Sequence, residues 1–253
     1  MFRKIIITCI SLFVSGFIFA QDATTLVQNG VDINVMYRNE AVFGLLAHSN
    51  GFGMTYRRAK HVTGTRKRVL EVELVNMSHP KEIKSVNPYF ENSKGFYYGK
   101  LNSIIIPRVG IGFQNVLFRK AERKSVEIRY STYLGASIAL AKPVYLEILH
   151  QTNINSEFNL STEKYDPNEH TFDKIYGRAP YFKGFDETKF FPGGYAKFAI
   201  SFEYADLRND VKVIETGITL DAYPKVVPIM AYTSNYQLFP SIYISLIYGK
   251  KWF

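Results

Sequence analysis

The sequence is poor in cysteine and tryptophan, and after its first twenty residues it has no long apolar run. One Cys and one Trp occur among 253 residues. A single Cys excludes an internal disulfide framework and a cysteine-based zinc site. Hydrophobic residues make up 47% and charged residues 21% of the chain, which excludes a disordered or collagen-like protein. Without a second apolar run of 18 residues or more, the sequence predicts no transmembrane helix.

Residues 1–20 predict a secretory signal peptide. Arg3 and Lys4 precede a short apolar run, which ends at Ala20. A basic start, an apolar stretch of about 7–15 residues and a small residue at the cut are typical of such peptides. We therefore expect cleavage after Ala20, which would leave residues 21–253 as one exported domain.

Polar and apolar residues alternate with a period of two in several segments, which indicates β-strands with one apolar face. In the C-terminal segment, Ile242, Ile244 and Leu246 share one parity, and Ser241 and Ser245 share the other. A soluble β-sandwich would show the same alternation. However, the segments run to roughly 10–13 residues, whereas soluble strands average five or six. Together with the signal peptide, this length favours an antiparallel up-and-down β-barrel that spans the outer membrane.

About eight strands are predicted, and ten or twelve are possible if the weaker segments 31–36, 144–149 and 226–232 join them. The eight are residues 40–48, 52–61, 66–76, 99–113, 126–139, 195–207, 211–223 and 241–252. Short links separate some of these strands, and three long loops, which we expect to be extracellular, separate others. The long loops are 77–98, 140–194 and 224–240.

The longest loop is predicted to contain one short helix at residues 167–176. Asp166 is a suitable N-cap, Pro167 suits the first helical position, and Glu169 completes a capping box. Gly177 would end the helix.

Several segments resemble a family of uncharacterised outer-membrane β-barrel proteins from Bacteroidota. The resemblance spans nearly all of residues 21–253, and it implies the location and the fold but no catalytic residues. The segments that carry it are His48-Ser49-Asn50-Gly51-Phe52-Gly53, His79-Pro80-Lys81-Glu82, Gly99-Lys100-Leu101-Asn102, Lys142-Pro143-Val144-Tyr145, Lys164-Tyr165-Asp166-Pro167, Phe182-Lys183-Gly184-Phe185 and Pro228-Ile229-Met230-Ala231.

Charges of both signs lie on the polar parity of the predicted strands, which would face the barrel interior. These residues could line a narrow pore, or they could pair across the lumen and plug it. We favour the plug, because eight strands leave an interior that side chains can fill and an unpaired charge there would be costly. The predicted lumen charges are Glu71, Glu73, Glu127, Arg129, Lys197, Glu203 and Glu215.

Metal binding and catalysis have less support in the sequence. Asp166, Glu169, His170 and Asp173 could share one face of the loop helix and bind a metal, but surface charge and helix capping are the ordinary explanation. No HExxH, GxSxG or phosphate-binding glycine motif occurs. No cofactor is therefore predicted, and a barrel hydrolase acting on lipid or peptide is the less favoured alternative.

Two basic stretches flank the predicted turn at 62–65. They are Arg57-Arg58-Ala59-Lys60-His61 and Arg66-Lys67-Arg68. Nucleic acid is an unsuitable partner for an exported chain, so we expect these residues at the membrane interface beside anionic head groups.

The chain ends on Trp252 and Phe253 directly after a predicted strand. A terminal aromatic residue is typical of the signal that outer-membrane barrels present to their insertion machinery. Outer-membrane lipid, lipopolysaccharide and this machinery are therefore the expected general partners.

The favoured function is non-enzymatic. We expect a structural or accessory barrel that presents its loops to an outer-membrane protein partner, within a larger assembly or on its own. The long loops motivate this hypothesis, since such loops usually carry function. The alternative is a narrow porin-like channel for small solutes.

Overall fold

The computed structural model of the chain describes residues 38–90, 93–119, 125–151, 158–204 and 210–252. Eight long strands close into an antiparallel barrel in the order β1-β13-β12-β11-β7-β6-β3-β2. These strands are β1 (Asn39–His48), β2 (Gly51–His61), β3 (Arg66–Met77), β6 (Asn102–Phe118), β7 (Glu127–Pro143), β11 (Lys189–Glu203), β12 (Asp210–Ala222) and β13 (Leu238–Trp252).

Five shorter strands and one 3-10 helix form a cap from the long connections. The hairpin of β4 (Lys84–Ser85) and β5 (Phe96–Tyr97) lies between β3 and β6. The connection from β7 to β11 forms a three-stranded sheet in the order β10-β8-β9. Its elements are β8 (Tyr145–Gln151), β9 (Phe158–Lys164), the 3-10 helix (Phe172–Lys174) and β10 (Ile175–Arg178).

The barrel has eight strands, which confirms the main prediction. Closure places Asn39 opposite Trp252 and His48 opposite Tyr243. Segment 144–149 is extended, as its pattern indicates, but it belongs to the cap sheet. Segment 226–232 contributes a single bridge, and segment 31–36 lies outside the described residues. The larger strand counts are therefore wrong for the described chain.

Long and short connections lie at opposite ends of the barrel, as predicted. The strand ends that flank the three short links, at His61 and Arg66, Phe118 and Glu127, and Glu203 and Asp210, share one end with the described ends of the chain, and we call it the short-link end. The tight β1–β2 turn and the three long connections share the other, which we call the cap end.

The predicted helix at 167–176 is wrong. The N–H of His170 donates to the carbonyl of Asp166, so one turn forms, and the 3-10 helix then leads into β10. A contact distant in sequence explains this result. The buried amide of Asn87 donates to the carbonyls of Phe172 (3.0 Å), Asp173 (3.2 Å) and Ile175 (2.8 Å), and β10 pairs with β8.

Side chains of alternating parity fill the barrel interior. Tyr133 and Tyr195 extend across it because glycines opposite them leave room. A Cβ at Gly110 would lie 2.3 Å from the Tyr195 hydroxyl, and a Cβ at Gly112 would lie 2.5 Å from the Tyr133 ring. These aromatic residues therefore lie in the lumen.

The outer wall of the barrel is apolar over its middle. No helix among the described residues is long and apolar enough to cross a membrane. Large apolar side chains are instead exposed on the strands. They include Phe43, Leu45, Met54, Leu70, Val72, Leu74, Val109, Ile111, Leu134, Ile138, Phe198, Ile200, Ile214, Ile218, Leu220, Ile242, Ile244 and Leu246.

Candidate functional site

The lumen holds many buried charges of both signs. The cations come from five different strands of the barrel, and they pair with carboxylates on adjacent strands or on strands further round the barrel. The buried cations are Arg57, Lys67, Arg108, Arg129 and Lys197, and the buried carboxylates are Glu40, Glu71, Glu73, Glu203, Glu215 and Asp221.

Arg57 is the centre of this network. Its Nε donates to Glu71 at 2.6 Å, and its two terminal nitrogens donate to the two oxygens of Glu215, both at 2.7 Å. The hydroxyls of Ser201 (2.8 Å) and Tyr243 (2.7 Å) also donate to Glu215. This fork geometry is the most favourable arrangement of an arginine with a carboxylate.

A second group lies nearer the cap end. Lys197 donates to Glu71 at 3.1 Å and also to Glu73. Arg108 donates to both oxygens of Asp221, at 2.9 and 2.5 Å, and to Glu73 at 3.2 Å. Glu73 therefore joins the Lys197 and Arg108 pairs into one network.

A third group lies nearer the short-link end. Arg129 donates to Glu127 at 2.5 Å and also to Glu203. Lys251 donates to Glu203 at 2.6 Å. Lys67 of β3 pairs with Glu40 of β1 in the same group.

The structure thus brings the seven predicted lumen residues into one interior, with Glu127 at its edge. Sequence reasoning missed Lys251 and five further members that are buried: Glu40, Arg57, Lys67, Arg108 and Asp221. For Arg57 and Lys67, the expected place at the membrane interface is wrong. Their parity was the available signal, since Thr55, Arg57 and Ala59 alternate with outward-facing neighbours.

The described side chains leave little open space within the charged part of the lumen. A cavity lined by Glu40, Arg57, Arg129 and Glu215, among others, has a volume of about 20 Å³. Such a volume accommodates on the order of one water molecule. The paired charged side chains therefore extend into the lumen and leave this small cavity between them.

An apolar layer closes the lumen at the cap end. Val227, Ile229 and Met230, from the connection between β12 and β13, pack with Met77 and Ile106 of the barrel wall. Ile229 accepts hydrogen bonds from the N–H groups of Leu101 and Asn102 at 2.9 and 3.2 Å.

The side chain of Asn235 holds this connection in shape. Its Oδ1 accepts from the N–H groups of Ile229 (2.8 Å) and Met230 (3.1 Å), and its Nδ2 donates to the carbonyl of Met230 (2.8 Å). The charged network and the apolar layer together make up what we call the sealed lumen.

A cleft of about 560 Å³ lies between the barrel rim and the cap, and we call it the cap cleft. Its walls come from the ends of β3, β6 and β7 and from β5, β8 and β10. Basic and tyrosine side chains are prominent in its lining: Lys94, Lys100, Lys142, Arg178, Tyr97, Tyr145 and Tyr181.

The cap cleft has more cations than carboxylates to pair with them. Lys100 donates to Glu82 at 2.5 Å, and Lys94 donates to Glu147 at 2.9 Å. In the described part of the chain, Arg178 has no carboxylate partner. The cleft therefore suits an anionic partner.

Lys142 is the second cleft cation without a carboxylate. It is buried, and its Nζ donates to the carbonyls of Tyr181 (2.6 Å) and Lys183 (3.4 Å). The same nitrogen lies 4.6 Å from the centre of the Tyr181 ring. Lys142 thus ties the rim of the barrel to the loop before β11.

The four candidate metal ligands are not brought together. The N–H of Asp166 donates to His170 Nδ1 at 3.0 Å, while the Asp166 carboxylate accepts from the N–H of Asn168 at 2.8 Å. Glu169 and Asp173 are exposed. No group of three metal-binding side chains occurs among the residues that the structure describes.

His170 instead belongs to a hydrogen-bonded cluster in the cap. Ser161 donates to Glu163 at 2.5 Å, and Nε2 of His150 and of His170 lie 2.7 and 3.0 Å from the two Glu163 oxygens. Hydrogen bonds to Glu163, of which the one from Ser161 has the largest effect and the one from His150 the next, lower its pKa to about 2. This carboxylate links β8, β9 and the turn that follows them.

The outward-facing charges of the two basic stretches do lie at one edge of the apolar wall. The exposed cations at the short-link end include Arg58, Lys60, Arg66, Arg68, Lys212 and Lys250. Trp252 is 38% exposed at the end of β13, and Phe253 lies outside the described residues. The predicted signal peptide, residues 1–20, also lies outside them.

Comparison with known proteins finds similar folds but no family. No family model and no curated protein matches the chain. Among solved structures, the chain is similar to Neisserial surface protein A, with 9% identity over 85% of this chain and 97% of that one and a TM-score of 0.41. It is also similar to Ail, the attachment invasion locus protein of Yersinia pestis, with 8% identity over 86% and 100% and a TM-score of 0.41.

For the present chain, the closed eight-stranded barrel follows from its own strand pairings. The resemblance to the Bacteroidota family rests on the quoted segments and receives no support from a family model.

Proposed function

We propose that this chain is a non-enzymatic outer-membrane β-barrel that holds an ordered extracellular cap for interaction with a partner. The apolar outer wall supports the membrane location. On β13, the outward positions from Leu238 to Tyr248 carry no charge. At ~3.3 Å per residue and a tilt of about 40°, that stretch covers roughly 25 Å along the barrel axis, the height of a typical apolar band.

The sealed lumen is the observation that carries the functional part of the proposal. Its buried cations have carboxylate partners, and the apolar layer at the cap end lies above them. A conducting pore needs a continuous watery path, which side chains packed in this way do not provide. The geometry therefore favours a scaffold over the alternative of a narrow channel for small solutes.

The cap cleft supports an interaction role. Arg178 and Lys142 bring positive charge without carboxylate partners, and Tyr97, Tyr145 and Tyr181 bring flat surfaces that contact ligands well. We propose that the partner presents an acidic group to this cleft. Membership of a larger outer-membrane assembly, contact with lipopolysaccharide, and insertion through a signal that includes Trp252 and Phe253 are part of the same proposal.

The test is purification from native membranes in mild detergent, followed by identification of the proteins and glycolipids that accompany the barrel. Arg178→Glu reverses the charge of one side chain in the cleft lining. Lys225→Glu makes a similar change at an exposed connection residue outside that lining. We expect a reproducible partner with the wild type and with Lys225→Glu, and at least about tenfold less of it with Arg178→Glu. A barrel that always emerges without a partner contradicts the interaction role.

A further inference from the structure

A groove on the outer wall of the barrel has the composition of a lipid site. It has a volume of about 380 Å³ and lies on β2 and β3 near the short-link end. Arg58, Lys60 and Arg68 supply its charged part, and Leu70 and Ile111 supply its apolar part. We call it the outer groove.

The cations of the outer groove have no carboxylate partner in the part of the chain that the structure describes. Lys60 lies directly opposite Arg68 in the β2–β3 pairing, and like charges in that arrangement destabilise a sheet. Among the described residues, no carboxylate pairs with Arg58, Lys60 or Arg68. An external anion bound beside these cations would offset the repulsion between them, because each cation would be attracted to the anion.

The apolar part points to an amphiphile as the source of that anion. Leu70 lies opposite Arg58 on β2 and opposite Ile111 on β6, so the apolar surface begins directly beside the cations. From there it continues along the wall through Val72 and Val109, both exposed. A free phosphate ion would contact the cations but would leave this adjoining surface unused.

We propose that the outer groove binds an anionic phospholipid, with its phosphate against Arg58, Lys60 and Arg68 and an acyl chain along Leu70 and Ile111. The proposal rests on the membrane location proposed above. It assigns the lipid to the leaflet at the short-link end, where further outward cations, Lys212 and Lys250 among them, also lie. The site would select for the negative charge of the head group.

The experiment measures lipid selectivity in the refolded mature chain. The protein is inserted into phosphatidylcholine nanodiscs with or without a tenth of phosphatidylglycerol, and retained lipids are identified by native mass spectrometry after gentle release. Heat-modifiable migration of the same samples reports whether the barrel has inserted. Failure of insertion would overturn the membrane location itself, whereas insertion without selectivity would overturn only the lipid site.

We expect the wild type to retain phosphatidylglycerol in preference to phosphatidylcholine. Lys60→Gln should weaken that preference about fivefold, and Arg58→Gln/Lys60→Gln/Arg68→Gln should abolish it, since each cation near an anionic surface contributes about that factor. Lys212→Gln/Lys250→Gln is the matched control for loss of outward positive charge and should retain most of the preference. The comparison of the two lipids in the wild type stands even if the triple variant fails to fold.

Two results would overturn the proposal. The first is equal retention of both lipids by the inserted wild type. The second is that inorganic phosphate in pure phosphatidylcholine protects the barrel against heat as well as phosphatidylglycerol does. That result would show that a free anion satisfies the cations and that the acyl chain is irrelevant.

Discussion

Single residues in the lumen show how a small barrel accommodates charge. Arg57 has two carboxylate partners, Glu71 and Glu215, and all three side chains are at most 4% exposed. Removing one member of such a group leaves another charge buried without its full set of partners, which costs more than the pair itself contributes. The lumen is therefore most sensitive to changes that remove one charge of a pair.

We expect Glu215→Gln to lower the free energy of unfolding by about 3 kcal/mol, because Arg57 keeps only one carboxylate partner. Urea unfolding of the barrel in detergent micelles or vesicles measures this change. Glu169→Gln makes the same chemical change on an exposed cap residue and should stay within about 0.5 kcal/mol of the wild type. Equal effects of the two variants would contradict the account of the lumen.

The Glu163 cluster gives the cap a defined response to acid. Its lowered pKa means that the ionised form favours the folded cap, so this contribution is fully present above the unfolded value of about 4.3. It is lost as the pH falls through the folded value of about 2. We expect the protection of residues 158–164 against hydrogen exchange, measured relative to the exchange rate of an unfolded chain at the same pH, to remain high at pH 4 and to fall toward pH 2.

Glu163→Gln provides the control for that pH dependence. The variant keeps the size of the side chain but has no charge to lose, so its cap should exchange faster at pH 4 and change less between pH 4 and pH 2. A wild type and a variant with the same acid profile would show that Glu163 does not stabilise the cap.

At the scale of elements, the barrel strands and the cap follow from different kinds of information. Each barrel strand carries its own signal, because a wall between a polar lumen and an apolar exterior requires alternation at every step. The fold and the eight strands could therefore be predicted from the sequence. The cap depends on contacts between distant segments, such as Asn87 with the carbonyls of Phe172 and Ile175.

The residues that sequence reasoning misplaced illustrate the same limit. Asp166, Pro167 and Glu169 carry a local helix signal, but pairing of β10 with β8 continues the segment as a strand. Arg57 and Lys67 sit in basic runs that resemble an interface, and only the strand register assigns alternate members to the lumen. The cap cleft combines residues from six strands, so no local pattern indicates it.

We expect Asn87→Ala to loosen the cap and to leave the barrel intact. The change leaves three carbonyl groups without their amide donor, at a cost of about 2 kcal/mol for buried polar groups. Hydrogen exchange should accelerate in residues 172–178 and stay unchanged in β12 and β13. Asn168→Ala, at an exposed turn residue, is the control, and faster exchange throughout the barrel would contradict the separate role of Asn87.

Under the proposed function, the whole molecule combines a membrane anchor with a lumen that solutes do not cross. The outer wall is apolar, the lumen is filled by paired charges, and the connection between β12 and β13 forms an apolar layer at the cap end. The longer connections build the cap cleft at that same end. We propose that this arrangement presents a binding surface on a barrel without opening a path through it.

Single-channel recording in planar lipid bilayers tests the sealed lumen most directly. Residues 21–253 are refolded, and their insertion into the bilayer is verified by heat-modifiable migration. Current is then recorded over a range of voltages in concentrated salt. We predict a baseline without reproducible steps, because no continuous watery path crosses the described lumen. Steady and reproducible conductance steps from the verified barrel would contradict the account and establish a channel.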